Sequence, residues 1–240
     1  MQLVIRTLKA SMPLRWRKRM KVARAKVFES LGSTRFSHPA LFGLDLLMAQ
    51  ILPDVGTFLE VGANDGYDQS NTYYLEVVRG WNGILIEPLP SLFASCVRVR
   101  KRSTCYNVAC VAPGRATDKV VVVDQDLQSV ALGQQAVSDE TVRLAGGRGA
   151  KTVAVSATTL SAVIDNSAAT HIDFMSIDVE GAELSLLAGL DFSRHTPSWA
   201  LIETSHPGDV AEMCAPWMVL VRKLSFHDYL FRAACEPPIV

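Results

Sequence analysis

The sequence predicts an α/β fold, a doubly wound and mostly parallel sheet of one domain that carries an inserted β-hairpin and flap. Three observations predict it. Short apolar runs (Phe58-Leu59, Ile84-Leu85-Ile86, residues 172–177 and 199–202) alternate with segments of helical character, which is the rhythm of repeated βαβ units. These runs end at acids, Glu60, Glu87, Asp178 and Glu203. The first of them leads into Gly62 and Gly66 and then into a helical segment at 70–78, a strand, turn and helix of the kind that cradles nucleotides.

The glycine turn sets the expected ligand. Glycine admits backbone dihedrals closed to other residues and lets a ligand approach the chain. The helix after it offers free N–H groups and a partial positive charge. Dinucleotide folds use G-x-G-x-x-G, whereas here the spacing is Glu60-x-Gly62-x-x-x-Gly66 with Asp65 inside it. Those acids would repel a pyrophosphate. They suit S-adenosylmethionine, which has no phosphate and carries an ammonium beside its carboxylate.

Bulk properties narrow the class. At 240 residues, 49% of them hydrophobic, one well-filled α/β domain is expected. No apolar run reaches the ~20 residues of a bilayer span. The formal net charge of zero hides an asymmetry. Nine basic residues, from Arg6 to Lys26, precede the first acid, Glu29, and the remaining 15 face 24 acids. A body that acidic is a poor nucleic-acid binder. Five cysteines without C-x-x-C disfavour a disulfide or zinc framework and favour free thiols in a reducing compartment, the cytoplasm.

Taken in order, residues 1–52 read as a basic leader and helical lead-in, and 53–240 as the catalytic domain. In the leader Trp16, Met20, Ala23 and Val27 recur at helical spacing among arginines and lysines. That pattern fits an interfacial helix held at a membrane periphery by anionic lipid, or by an acidic partner. It also fits a solvated helix packing its apolar stripe on the domain. Its many arginines and lack of acids are shared with mitochondrial transit peptides. Residues 41–51 read as an amphipathic helix closed by Pro53. The strand at 84–86 stops at Glu87-Pro88, 25 residues past Gly62, where an acid can accept two ribose hydroxyls.

Further along, 89–102 reads as a helix with a basic end. The stretch 104–110 reads as a strand whose Asn107, Val108 and Ala109 lie where an adenine ring fits. β-Branched runs at 119–123 and 153–155 predict a hairpin, and the polar, glycine-bearing 125–149 between them a flap over the site. A helix start at 159–164 leads to the strand at 172–177 and its Asp178-Val179-Glu180-Gly181 terminus, then to a helix at 182–190. Glu183 reads as a helix cap. Residues 209–224 read as a helix bent at Pro216, and 227–232 as the last strand. Only one strand is readable after Pro216, although such folds commonly end in an antiparallel pair.

At this point the blocks FLEVGANDGYDQSNTYYLE, GWNGILIEPLP, YNVAC and IDFMSIDVEGAELSLLAGLDF are all in hand. In order and spacing they resemble the FkbM-type S-adenosylmethionine-dependent methyltransferases, a branch of the class I Rossmann-like enzymes. The resemblance implies methyl transfer, usually to a hydroxyl of a sugar, polyketide or other secondary metabolite, with a small-molecule or glycan acceptor. It implies that Glu60, Gly62, Asn64 and Gly66 form the methionine-binding turn, with Ser70 and Asn71 at the helix start behind it. Glu87, with Pro88 after it, then holds the ribose. Asn107 to Ala109 lie near the adenine, and Asp178 faces the transferring methyl.

The chemistry needs a base on the acceptor side. Positioning supplies much of the rate, and a general base adds a factor of about 100 to 10,000. Asp178 or His206 is expected in that role, oriented by Glu180 or Glu203. The same four side chains would alternatively hold Mg²⁺. Two rival functions remain: a non-catalytic S-adenosylmethionine-binding scaffold, and an NAD-linked oxidoreductase, which the acidic glycine turn disfavours. A serine hydrolase lacks its G-x-S-x-G elbow.

Overall fold

The computed structural model describes residues 14–116, 119–124, 130–132 and 151–234. In chain order the elements begin with α1 (Leu14–Ser30), a 3₁₀ turn at Leu41–Gly43 and α2 (Leu44–Ile51). Then come β1 (Thr57–Val61), α3 (Tyr73–Val77), β2 (Asn82–Ile86), α4 (Pro90–Val99), β3 (Ser103–Tyr106) and β4 (Ala109–Cys110). The hairpin strands are β5 (Lys119–Asp124), β6 (Val130–Leu132) and β7 (Lys151–Thr158). The second half holds α5 (Leu160–Asp165), β8 (Phe174–Ile177), α6 (Glu183–Leu187), α7 (Phe192–His195), β9 (Trp199–Glu203), α8 (Pro207–Cys214), β10 (Met218–Lys223) and β11 (Asp228–Ala233).

Among the described residues the strands make two sheets. The main one runs β10-β11-β9-β8-β1-β2-β3. Neighbours from β9 through β8, β1 and β2 to β3 are parallel, and β11 pairs antiparallel with both β9 and β10. The chain winds outward from β1 through β2 to β3, then returns to lay β8 on the other side of β1. That reversal is the switch point at which α/β sheets bind ligands.

Strand alternation builds the two layers. Leu59, Val61, Ile84, Ile86, Met175, Ile177 and Ile202 pack with Leu160, Val163 and Ile164 of α5, Leu186 and Leu187 of α6 and Val210 of α8. Phe58, Leu85, Phe174, Leu201 and Leu230 face the opposite way, onto Leu44 and Met48 of α2, Leu75 of α3 and Cys96 of α4. The period of two puts alternate side chains on opposite faces. Burial of both faces explains why the strands read as continuous apolar runs.

The segment after Pro207 differs from the expected long helix. The helix ends at Cys214, and residues 218–223 form strand β10 at the sheet edge. Proline at 216 cannot join a helical hydrogen-bond ladder, and Val219-Leu220-Val221 favours strand. The closing antiparallel pair is therefore present. The expected strand at 104–110 is also divided. Its first part, β3, edges the main sheet, while β4 pairs with β7 in the second sheet, β4-β7-β5-β6. The predicted hairpin is β5 paired with β7. Of the expected flap, 125–129 and 133–149 lie outside the described residues.

The expected helix at 41–51 begins later, at Leu44, because Phe42 and Gly43 take positive φ values of 54° and 68°. α1 corrects one reading of the leader. It packs on the domain through Lys18, Val22, Ala25 and Glu29, while Trp16, Met20 and Val27 face outward and Ala23, also exposed, lies at the rim of the large cavity. The side turned to the protein is thus the one opposite the apolar stripe.

Candidate functional site

The carboxyl ends of β1, β2 and β8 open into a cavity of about 1010 Å³. Gly62, Ala63, Asn64, Ser70 and Asn71 line it from the turn after β1, Glu87 and Pro88 from the end of β2, Val108 and Ala109 from the stretch after β3, and Asp178 and Glu180 from the end of β8. Lys18, Val22 and Lys26 of α1 and Val122 of β5 complete the wall. The leader helix is therefore part of this cavity, and its Lys18 donates to Asn64 Oδ1 at 3.3 Å.

Gly62 and Gly66 serve different needs. At Gly62 φ is +86°, and a Cβ would lie 1.8 Å from the carbonyl oxygen of Asp178. Only glycine lets the β1 turn pass the end of β8 this closely. Gly66, at φ +84°, would press a Cβ onto Cys96 and Arg100 at 3.0 Å.

Glu60 lines the cavity, but the chain consumes its carboxylate. Its oxygens accept from Ser70 Oγ (3.0 Å), Asn71 N (3.0 Å), Thr72 Oγ1 (2.7 Å) and an Arg100 NH (3.2 Å). Ser70 Oγ in turn accepts from the N–H groups of Thr72 and Tyr73. The expectation of free helix N–H groups for a ligand is corrected on this evidence. α3 starts only at Tyr73, and the amides ahead of it are already bonded to Glu60 and Ser70. Glu60 shapes the turn, and its reach toward a ligand is spent internally.

Arg100 is the hub of this network and was hidden in the sequence, where it reads as the basic end of a helix. It is 1% exposed. It donates to Glu76 (2.9 Å), Thr72 Oγ1 (2.8 Å), Ser70 Oγ (3.1 Å) and Gly66 O (3.3 Å) as well as to Glu60. Burial pulls its pKa down, and Glu60 and Glu76 more than offset that, raising it. A fixed fork of five donors suits such a multiple clamp.

Glu87 is 4% exposed at the end of β2. One oxygen accepts from Asn64 N and the other from Leu89 N, each at 2.9 Å. It shares the cavity with Gly62, as its spacing suggests. Asn107 is not a lining residue. Its amide donates to the carbonyls of Glu87 (2.9 Å) and Pro88 (2.8 Å), so it braces the turn that carries Glu87. Val108, Ala109, Leu89, Leu92 and Val122 form an apolar wall beside it.

A second cavity, about 300 Å³, adjoins the first. Gln69, Asn71 and Asp178 line both. The smaller one adds Glu203, His227 and Asp228 and an apolar mouth of Leu41, Phe42 and Phe226. Asn71 donates to Ser176 Oγ at 3.0 Å, while its buried Oδ1 lacks a hydrogen-bond partner. Asp178 is pushed up to about 8, first by burial and then by Glu203, Glu180, Asp228 and Glu60. Burial also raises Glu203, with Asp228 and Glu180 adding to it, and raises Glu180, with Glu183 adding to it. Glu180 sits in the left-handed region at φ 51°. Glu183 accepts from Gly181 N at 2.7 Å, a bond to the turn ahead of α6 and not the helix cap expected of it.

His206 is not brought to this group. Its side chain is exposed beside Asp209, 3.9 Å away, and lines neither cavity. Proline at 207 starts α8 there, and His206 takes the position before its first turn. The histidine at the site is His227. Sequence reading missed it and Asp228, because the register Asp228↔Glu203 that brings them in follows from the antiparallel return of β11.

The structure offers no support for the Mg²⁺ alternative. Among the described residues no group of three or more His, Cys, Asp or Glu side chains is arranged to hold a metal ion. The donors suit an organic cation: an unpartnered amide oxygen, a carboxyl raised by burial and by neighbouring acids, and an apolar wall.

Comparison with known proteins bears on this geometry. A model of the methyltransferase FkbM domain matches residues 60–232, more than two thirds of the chain. The chain belongs to the FkbM methyltransferase family. Among solved structures it is similar to a methyltransferase FkbM from Methylobacillus flagellatus, at 16% identity and a TM-score of 0.50. That match covers 88% of this chain and 52% of the other, so the chain spans about half that protein's length. A TehB-like SAM-dependent methyltransferase from Corynebacterium glutamicum matches at 11% identity and a TM-score of 0.45, over 92% of this chain and 100% of that one. M. capricolum TrmK, solved with S-adenosyl-homocysteine, matches at 11% and 0.41, over 81% and 68%. No curated protein matches. The fold is that of the class I methyltransferases.

Proposed function

We propose that this FkbM-family chain transfers a methyl group from S-adenosylmethionine to a hydroxyl of a sugar or other secondary metabolite. The observation that carries the reading is the pair of adjoining cavities that share Asp178, Asn71 and Gln69. The larger has room and polarity for a nucleoside. The smaller has carboxylates, a histidine and an apolar mouth for an acceptor.

When bound, S-adenosylmethionine supplies an electrophilic methyl on a positively charged sulfur. The chain's own groups divide the remaining work. Glu87, held by Asn64 N and Leu89 N, accepts the ribose hydroxyls. Val108, Ala109 and Val122 cover the base. Asn71 Oδ1 is an acceptor for the ammonium end. Glu60, Ser70 and Arg100 keep the turn in shape without touching the ligand.

On the acceptor side Asp178 takes the hydroxyl proton, with Glu203 and His227 beside it. With its pKa near 8, Asp178 is largely protonated at neutral pH in the empty site. A positive charge in the larger cavity favours its ionised form. Bound methyl donor therefore raises the share of Asp178 that is ionised and able to act as base.

The test is transfer of labelled methyl to a panel of glycosides and hydroxylated metabolites. Wild type should label at least one hydroxyl acceptor, and Asp178→Asn should bind the donor yet fail to transfer. Tight donor binding with no transfer to any acceptor would favour a non-catalytic scaffold, and full activity in Asp178→Asn would remove that residue from the chemistry.

A further inference from the structure

Helix α1 carries three distinct strips. At 3.6 residues per turn, Lys18, Val22, Ala25 and Glu29 fall on one side and Trp16, Met20, Ala23 and Val27 on the opposite side. The first strip is packed on the domain. Ala25 is fully buried, and Glu29 accepts from Tyr73 and Ser37. The second strip is open to solvent, with Trp16 54%, Met20 50% and Val27 56% exposed. Between them run exposed basic residues, Arg17, Lys21 and Arg24 on one flank, where Lys21 pairs with Asp68 and Arg24 stacks on Phe36, and Arg19 and Lys26 on the other, at the rim of the larger cavity.

The rest of that edge matches. α1 rests on Asn64 and Asp68, in the loop after β1. Phe42 and Phe226 ring the smaller cavity at the ends of β8 and β9, their ring centroids 6.2 Å apart. Among the described residues, Trp16, Phe42 and Phe226 are the exposed aromatic side chains, and all three lie at the carboxyl edge of the parallel strands. Exposed aliphatic side chains also occur elsewhere, at Val55 and on β10 from Val219 to Val221, but the exposed aromatic ones gather at this edge and mark an interaction surface.

We propose that this edge docks on an anionic lipid surface, with α1 lying in the headgroup plane. A row of apolar residues flanked on both sides by long cations is the pattern of interfacial helices. The apolar row enters the acyl boundary, while lysines and arginines keep their charges among anionic headgroups. An acidic protein would complement the charge but would leave Trp16, Met20 and Val27 without an apolar counterpart. Among the described residues no helix is long and apolar enough to cross the bilayer, so the contact is peripheral. The mouth of the smaller cavity then opens toward the membrane, where an amphipathic acceptor is concentrated. The docking itself rests on exposure and charge and is independent of the proposed reaction.

The test uses the full chain with phosphatidylcholine vesicles, with and without a phosphatidylglycerol fraction, followed by co-sedimentation and tryptophan emission. Binding should require phosphatidylglycerol, weaken with salt, and shift emission to the blue. Trp16→Phe should bind but lose the shift. The double variant Trp16→Ser/Met20→Ser, changed only at exposed positions, should bind at least about tenfold more weakly. Arg17→Gln should lose about fivefold at low salt. No binding to phosphatidylglycerol vesicles would overturn the proposal, as would unchanged binding by the double variant. Binding to polyglutamate in place of vesicles would equally overturn it, and would point to an acidic protein partner.

Discussion

Glu60 and Asp178 stand at the ends of neighbouring parallel strands, β1 and β8, in one sheet and beside one cavity, yet the chain treats them oppositely. Glu60 receives donors from Ser70, Asn71, Thr72 and a buried arginine. Its charge is matched, and it belongs to the scaffold. Asp178 is buried among other acids, and burial first and those acids second raise its pKa to about 8. Among the described residues no ion pair joins it to a cation of the chain, as Arg100 is joined to Glu60. An acid at a strand's end in this fold is therefore a ligand-seeking group only where the protein has left its charge unmatched. A bound organic cation would complete the second cluster as Arg100 completes the first.

The largest effect should come from breaking the matched cluster. Arg100→Met leaves Glu60 and Glu76 buried without their cation, which costs about 3–5 kcal/mol. Chemical denaturation should show that loss together with collapse of donor binding. A loss under about 1 kcal/mol would mean that the clamp is not what shapes the turn.

The unmatched cluster should respond in the reverse sense. Asp178→Asn should cut turnover by about 100- to 10,000-fold while raising the stability of the ligand-free protein. The sign follows from linkage. The folded carboxyl, at about 8, holds its proton more tightly than the unfolded one, at 3.8. Its stabilising contribution is full below 3.8 and is lost as pH rises through about 8. The advantage of the asparagine variant in thermal melts should therefore grow between those limits and then level off. By the same linkage, S-adenosylmethionine should bind wild type more tightly as pH rises toward 8, by up to about tenfold per unit. S-adenosylhomocysteine, which keeps the ammonium and carboxylate but lacks the sulfonium charge, should show a weaker dependence. A flat profile for both would mean that Asp178 does not feel the ligand's charge.

The smallest effect is expected at His206. It is exposed and lines neither cavity, so His206→Ala should leave turnover within about twofold, the usual range for surface changes. His227→Ala in the same assay should be clearly worse.

What was legible in the sequence follows the same division. The parallel strands were readable because burial on both faces makes them continuous apolar runs. Glu87 and Asp178 were readable because each sits where such a run stops. Arg100 was not, since a basic residue at a helix end has an ordinary local explanation and its partners lie 24 to 40 residues away. β10 was masked because the apolar spacing of 209–224 resembles a helix once Pro216 is treated as a bend. His227 and Asp228 reach the site through antiparallel register, which no local pattern encodes. The outward face of α1 was the hardest to assign. Its spacing defines two sides of a helix without saying which one the domain takes.

The most direct test of the account is calorimetric titration of S-adenosylmethionine into wild type and Glu87→Gln. The account predicts one site per chain in wild type and affinity about 10- to 100-fold lower in the variant, the worth of a hydrogen bond to a charged group. No binding by wild type, or equal affinity in both, would contradict it.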